Sequence, residues 1–237
     1  MNGQWRADPE ASWTASERRI MTCCSHCGAT ALHFGQRVAE RDRARYRRRG
    51  PDPTTRLLLE ELRPVARPGD TLLDIGGGIG VIGLELRASG LQEVVLVEAA
   101  PSYLAVAQDL FAGAFQPDQF HLVPGDFAGM PQPLTADIVT LDRVVCCYPD
   151  FRTLLARAAA SSRGTLALSY PKDRWYVRFA VAAENLVRRL TRNDFRAFVH
   201  PATEMAAVLS RAGFRRLGRR STLAWRVDRW ARSPRVI

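Results

Sequence analysis

The stretch "TLLDIGGGIGVIG", residues 71–83, constrains the fold more than any other part of the chain. A short apolar run ends in an acid, three glycines follow, and the chain then turns apolar again at helical spacing. Strand, glycine turn and helix in that order leave free backbone N–H groups and a positive helix end at the carboxyl edge of a strand, where open α/β sheets bind ligands. Gly76, Gly78 and Gly80 allow a close backbone approach that a Cβ would block.

The rest of the chain fits that start. Further apolar runs at 93–98 ("EVVLVE"), 120–126, 137–142 and 164–170 are bounded by Gly, Pro or Asp, and helix-length segments such as 81–89 and 101–114 separate most of them. Such alternation predicts βαβ units around a parallel sheet buried on both faces. A helix over 202–213 leads to two last strands, near 214–220 and 222–230, too close for a helical crossover and so antiparallel. The expected fold is Rossmann-like α/β: a doubly wound, seven-stranded, mostly parallel sheet with one antiparallel strand, plus an amino-terminal helical cap. That cap is the charged segment 34–49, with Phe34, Val38 and Tyr46 among its few apolar residues, followed after "GPDPTT" by a helix from about 56 to 62 that Thr54 or Thr55 can cap.

The 237 residues are 46% hydrophobic, enough for a sizeable core. The formal charge of +10 comes from arginine, since Lys172 is the only lysine; it bears on solubility and on attraction to nucleic acid or anionic membrane, not on fold. No apolar run approaches the ~20 residues of a spanning helix, and "MNGQWRADPEASW" lacks a basic-then-apolar leader pattern, so a cytoplasmic location is expected. Residues 1–33 read as a loosely ordered lead-in.

Glu98 ends the second run and follows the glycine loop by about the ~20 residues expected of a carboxylate that grips ribose hydroxyls. A nucleoside ligand follows. Gly78, Gly80 and Gly83 also satisfy the dinucleotide-binding pattern, which leaves an oxidoreductase as a rival. Asp74 tilts the balance, because a carboxylate suits a cofactor bearing an ammonium and a sulfonium and would repel a pyrophosphate.

Asp74, Gly76, Gly78 and Gly80 together resemble the acid-x-Gly-x-Gly-x-Gly motif of class I methyltransferases that use S-adenosyl-L-methionine. The likeness covers most of 56–237. It implies Glu98 on the ribose, Asp126 of "PGDF" near the adenine amino group with Phe127 against the ring, and a fourth motif in "ADIVTLDRVVCCY". The expected division is then a lead-in and basic cap over 1–55 and the methyltransferase domain over 56–237. Within the family the sequence resembles magnesium-protoporphyrin O-methyltransferases, through the insertion 169–201 and its His-Pro pair at 200–201. Cys146 and Cys147 depart from that enzyme, as does "CCSHC" at 23–27, so a different acceptor is expected of a distant relative.

Candidate catalytic residues are Asp142 as base, Tyr148, and His200 by its family-like position. Alignment supplies most of the rate for an activated methyl donor, and a base matters only where the acceptor carries a proton to remove. Asp142 reads equally well as a turn cap, and Tyr148 reads more readily as a pocket wall than as an acid. The expected acceptor is a small molecule methylated at oxygen, large and apolar ones included. Trp175, Phe179, Ala182, Leu186 and Leu190 form one helical stripe beside arginines, which reads either as a lid packed on the sheet edge or as a surface for such an acceptor or an anionic membrane. Peripheral membrane contact and oligomeric state stay open.

The odd cysteine count argues against a disulfide framework. Cys24 and Cys27 have zinc-ligand spacing, yet His26 and His33 complete no four-ligand pattern, and no metal is assigned. Cys23, Cys24 and Cys27 could meet Cys146 and Cys147 over the cofactor, which defines a thiol-assisted metalloid methyltransferase as an alternative. Basic "RDRARYRRR" permits an RNA-associated or non-catalytic cofactor-binding module as another, but Glu40 and Asp42 interrupt the charge and nucleic acid is disfavoured.

Overall fold

The structure, a computed structural model, describes residues 33–131 and 133–233. Seven strands make one sheet: β1 Thr71–Ile75, β2 Glu93–Glu98, β3 Phe120–Pro124, β4 Ala136–Asp142, β5 Ser162–Pro171, β6 Phe214–Ser221 and β7 Trp225–Arg232. Their order across the sheet is β3-β2-β1-β4-β5-β7-β6. Pairing is parallel from β3 through to β5, and β7 runs antiparallel to both β5 and β6. This is the expected sheet with one reversed strand. The order changes direction between β1 and β4, so the loops leaving those two strands diverge and open a crevice at their carboxyl ends.

The helices are α1 Gln36–Arg49, α2 Pro53–Leu62, α3 Val81–Leu86, α4 Pro101–Ala112, α5 Phe151–Ser161, α6 Trp175–Leu190 and α7 Ala202–Arg211. Alternation along β1 sends Leu72 and Leu73 to opposite faces of the sheet. Leu72 joins Leu58 and Leu62 of α2, Ile82 of α3 and Phe111 of α4. Leu73 joins Leu154 and Leu155 of α5 and Met205 and Leu209 of α7. Each such leucine, withdrawn completely from water, stabilises the fold by roughly 1.5–3 kcal/mol.

Helix α2 starts earlier than the sequence predicts, and its cap is not Thr54 or Thr55 but Asp52, whose Oδ1 accepts the N–H groups of Thr54 and Thr55 at 3.0 and 3.1 Å. Pro53, preset for the first helical position, makes the start sharp. Residue 55 therefore lies inside a helix, and its hydroxyl is free for another partner.

Helix α1 packs on α4. Ala39 is fully buried, Phe34, Val38 and Tyr46 pack around Tyr103 and Val106, Tyr103 Oη donates to Asp42 Oδ2 at 2.6 Å, and Arg43 pairs with Asp109. Arginine also neutralises acids at the far edge of the sheet. Buried Asp228 on β7 takes a two-pronged contact from Arg219 and the Tyr170 hydroxyl, and Glu61 of α2 pairs with Arg220 and Arg229. Part of the basic composition is therefore spent on internal acids.

Candidate functional site

The crevice at the carboxyl ends of β1, β2 and β4 is a cavity of ≈ 600 Å³. Its walls come from the loops after β1, β2, β3 and β4, helix α1 with the residues before it and those leading into α2, the inner side of α6, and the tip of the β6–β7 hairpin.

On the first wall the glycine loop runs Gly76, Gly77, Gly78, with Gly80 capping α3. Gly78 has φ +59°, and a Cβ there would touch the Tyr103 ring at 3.3 Å, so the residue combines a left-handed turn with a face open to the cavity. Gly80 plays a different part. It is not among the lining residues; its φ of +80° makes a left-handed turn into α3, and a Cβ there would lie 2.4 Å from the buried Phe111 ring, so its need for glycine is the turn and internal packing.

Glu98, at the tip of β2, lines the cavity and pins the loop: Oε2 accepts Gly78 N–H at 3.0 Å and Oε1 accepts Ala100 N–H at 2.9 Å. Burial raises its carboxyl pKa, and the backbone N–H groups pull it back. Asp126 caps the turn after β3 by accepting Ala128 N–H at 3.0 Å, and both it and buried Phe127 line the cavity.

Asp74 lies underneath. It is fully buried and not among the lining residues; Thr140 Oγ1 donates to its Oδ1 at 2.6 Å, while Oδ2 has no hydrogen-bond partner among the described residues. Burial lifts its pKa to about 7, with Thr140 opposing and the charges of Asp142 and Glu98 adding to the rise. The expected direct grip on an ammonium is replaced here by contact with the loop from below: a Cβ at Gly77 would come within 2.3 Å of Asp74 Oδ2. Gly77, the glycine that the motif leaves unspecified, is the one this acid requires.

The β4 wall carries Asp142, Arg143 and Tyr148. Asp142 accepts hydrogen bonds from Thr55 Oγ1, at 2.6 Å, and from Ser169 Oγ, which in turn accepts Arg143 N–H at 2.8 Å. Arg143 adopts φ +61°, a left-handed conformation rare outside glycine that clusters at functional sites, and its guanidinium meets Asp52 at 2.7 Å. Tyr148 Oη is buried with no hydrogen-bond partner among the described residues. His200 does not reach the cavity: its Nε2 bonds the Tyr148 carbonyl at 2.9 Å, and its ring packs against Phe151 and Phe198. Burial lowers its pKa. It positions the Tyr148 segment.

Cys146 and Cys147 both line the cavity, their sulfurs 3.7 Å apart, and the hydrogen bond between them with burial raises the Cys146 pKa. Among the described residues no three His, Cys, Asp or Glu side chains gather as metal ligands. Cys23, Cys24, His26 and Cys27 lie outside the described residues. His33 lines the cavity, stacked on Phe195 at 4.5 Å, whereas His121 pairs with Glu93 on β2 and is not a lining residue.

From the cap, Tyr46 reaches the cavity and donates to Glu85 at 3.0 Å; burial, helped by the Glu85 charge, raises its pKa to about 12. Helix α6 lines the cavity with Tyr176, Val177, Ala180, Val181, Glu184 and Arg188. Of the two readings of the stripe, the lid packed on the sheet edge does not hold, because the stripe faces away: Trp175 is 80% and Leu190 75% exposed. Sequence reasoning missed Thr55, Arg143 and the α6 inner face; only Arg143 had a signal, its adjacency to Asp142.

A family model described as "Methyltransferase domain" matches residues 43–217. Among curated relatives, ribosomal protein L11 methyltransferase of Streptococcus equi subsp. zooepidemicus is 29% identical over 136 residues, which cover 57% of this chain and 41% of that protein. The match thus spans about two fifths of that relative's length. Among solved structures, magnesium protoporphyrin IX methyltransferase from Synechocystis PCC 6803 with bound SAH superposes with a TM-score of 0.68 at 17% identity, covering 87% of this chain and 99% of that one. An O-methyltransferase family protein from Burkholderia thailandensis superposes with a TM-score of 0.67 at 17% identity, covering 91% of this chain and 67% of that one. Both structural likenesses concern the fold.

Proposed function

This chain belongs to the methyltransferase-domain family, and from that premise we propose that it transfers a methyl group from S-adenosyl-L-methionine to an oxygen of a small-molecule acceptor. One observation carries the reading: a glycine loop pinned by Glu98, the turn at Asp126 and Phe127, and the Asp142–Tyr148 segment all line a single cavity.

The donor fits the first wall. Gly78 offers a surface that a Cβ would fill, and Glu98, which already anchors the loop, keeps lone pairs for ribose hydroxyls. Asp126 and Phe127 would take the adenine amino group and ring face. Asp74 would support this wall from beneath, through its close contact with Gly77, without touching the donor. When bound, the donor supplies an electrophilic methyl on a sulfonium, a leaving group that needs no covalent help.

What remains for the chain is orientation and, for a hydroxyl acceptor, removal of a proton. Asp142 is held in one rotamer by Thr55 and Ser169, and would accept that proton. Tyr148 Oη, unpartnered, would hydrogen-bond the acceptor, and His200 would fix its backbone. The apolar inner side of α6, with Val177, Ala180 and Val181, suits a ring or chain. The name of the O-methyltransferase family neighbour from Burkholderia thailandensis supports oxygen as the atom methylated.

Cys146 and Cys147 in the same cavity favour a second reading, thiol-assisted transfer to a metalloid. Purified protein incubated with the donor and a fractionated extract, with S-adenosylhomocysteine read by mass spectrometry, separates the possibilities. Release that depends on an organic fraction, with a methyl ester or ether as the product, supports oxygen methylation of a small molecule, release that depends on a metalloid oxyanion favours the second, and donor binding without release marks a non-catalytic module.

A further inference from the structure

We propose that the outer face of α6, with the tip of the β6–β7 hairpin, docks onto an anionic lipid membrane and sets the cavity mouth at its surface. The stripe Trp175, Phe179, Ala182, Leu186 and Leu190 recurs at helical spacing on one side of a helix that is about 24 Å long at 1.5 Å per residue. Trp175 is 80%, Phe179 71%, Leu186 58% and Leu190 75% exposed, and Leu223 at the hairpin tip is 81% exposed. Together with Val187 and Leu217 these are the exposed large apolar side chains among the described residues, and most sit on this one helix. Contiguous patches of this kind mark contact surfaces.

The charge beside the stripe identifies the partner. Arg174, Arg189 and Arg192 are exposed and make no ion pair among the described residues. Of the nearby acids, Asp173 and Glu184 are already paired with Arg178 and Arg188, which leaves exposed Asp194 against the three unpaired arginines. Tryptophan, phenylalanine and leucine beside unpaired arginines are the composition of a helix that lies in a membrane interface, apolar side in the acyl boundary and cations at anionic headgroups. No helix among the described residues is long and apolar enough to cross a membrane, so contact would be in the plane.

Two links join this surface to the cavity. The inner side of α6 is a cavity wall, and Tyr176 Oη, donating to the Leu223 carbonyl at 2.9 Å, ties the hairpin tip to the start of the helix. Leu223 lines the cavity and is also exposed, which places it at the rim. An amphiphilic acceptor could then pass from the bilayer between α6 and the hairpin. Membrane attachment stands on the surface alone; arrival of the acceptor by this route rests on the methyl-transfer reading.

The test is co-sedimentation of the full chain, without cofactor, with vesicles of phosphatidylcholine or of phosphatidylcholine with about 30% phosphatidylglycerol. Expected are binding to the anionic vesicles only, weakening with salt, at least about tenfold loss in Trp175→Ser/Phe179→Ser, and about fivefold loss per charge in Arg174→Gln and Arg189→Gln. Unchanged melting temperatures check that these exposed substitutions leave the fold intact. Absence of binding to anionic vesicles, or equal binding by the double variant, overturns the proposal. So does a dimer that the double variant dissolves, or cross-linking of residues 1–32 to the stripe, where vesicles do not bind. Because methyl transfer is not read, failure here leaves the proposed activity standing.

Discussion

Thr55 donates its hydroxyl hydrogen to Asp142 Oδ2 at 2.6 Å, joining the first helix after the cap to the end of β4 across 87 positions of sequence. With Ser169 on the other oxygen, this leaves Asp142 little freedom to turn away from the cavity. Thr55→Val, which keeps the shape and removes the donor, is expected to lower turnover about tenfold while leaving donor affinity within about twofold, the pattern of lost orientation. Asp142→Asn should act in the same direction and more strongly if the acceptor is a hydroxyl. Turnover is read as S-adenosylhomocysteine release; normal turnover in both variants removes Asp142 from the mechanism.

Asp74 makes stability depend on pH in a sense opposite to most acids. Its native pKa, about 7, lies above the unfolded value near 3.8, so the folded chain holds a proton that the unfolded chain has lost. This contribution is present below the unfolded pKa and falls away as pH rises through the native one, at up to about 1.4 kcal/mol per pH unit. Asp74→Asn should therefore flatten the fall in denaturant midpoint between about pH 4 and 7. An identical pH profile in both proteins would show that Asp74 is ionised in the native state.

The Tyr103–Asp42 hydrogen bond holds the cap helix to α4. Tyr103→Phe leaves Asp42 beside an apolar ring and is expected to destabilise the protein by about 1–2 kcal/mol. Amide exchange should quicken over 36–49 before it does in the central strands. Uniform acceleration across the chain would show that the cap does not open separately.

Asp228 tests the internal use of arginine. Asp228→Ala leaves the buried Tyr170 hydroxyl without its acceptor, while exposed Arg219 returns to water, with an expected loss of about 1–3 kcal/mol in denaturant unfolding. A change below about 1 kcal/mol would mean that the pair contributes nothing net.

Much of this molecule was legible because its signals are local. The apolar runs at 71–75 and 93–98 are β1 and β2 as the sequence predicts, since a strand buried on both faces admits little else. Cofactor-side candidates Gly76, Gly78, Glu98, Asp126 and Phe127 line one cavity, because the sheet order places the ends of β1, β2 and β3 side by side. Roles set by long-range packing were not legible. Asp74 is under its loop because Thr140 and Gly77 receive it there, and His200 faces a backbone carbonyl because Phe151 and Phe198 hold its ring. The stripe on α6 has the spacing of a packed helix, yet periodicity says only that residues share a side, not what covers that side.

The most direct measurement is calorimetric titration of S-adenosyl-L-methionine into the intact protein and into Glu98→Ala. The account predicts one site per chain, and affinity at least about tenfold weaker in the variant, equivalent to about 1.4 kcal/mol. No heat with the intact protein, or the same affinity in both, would contradict it.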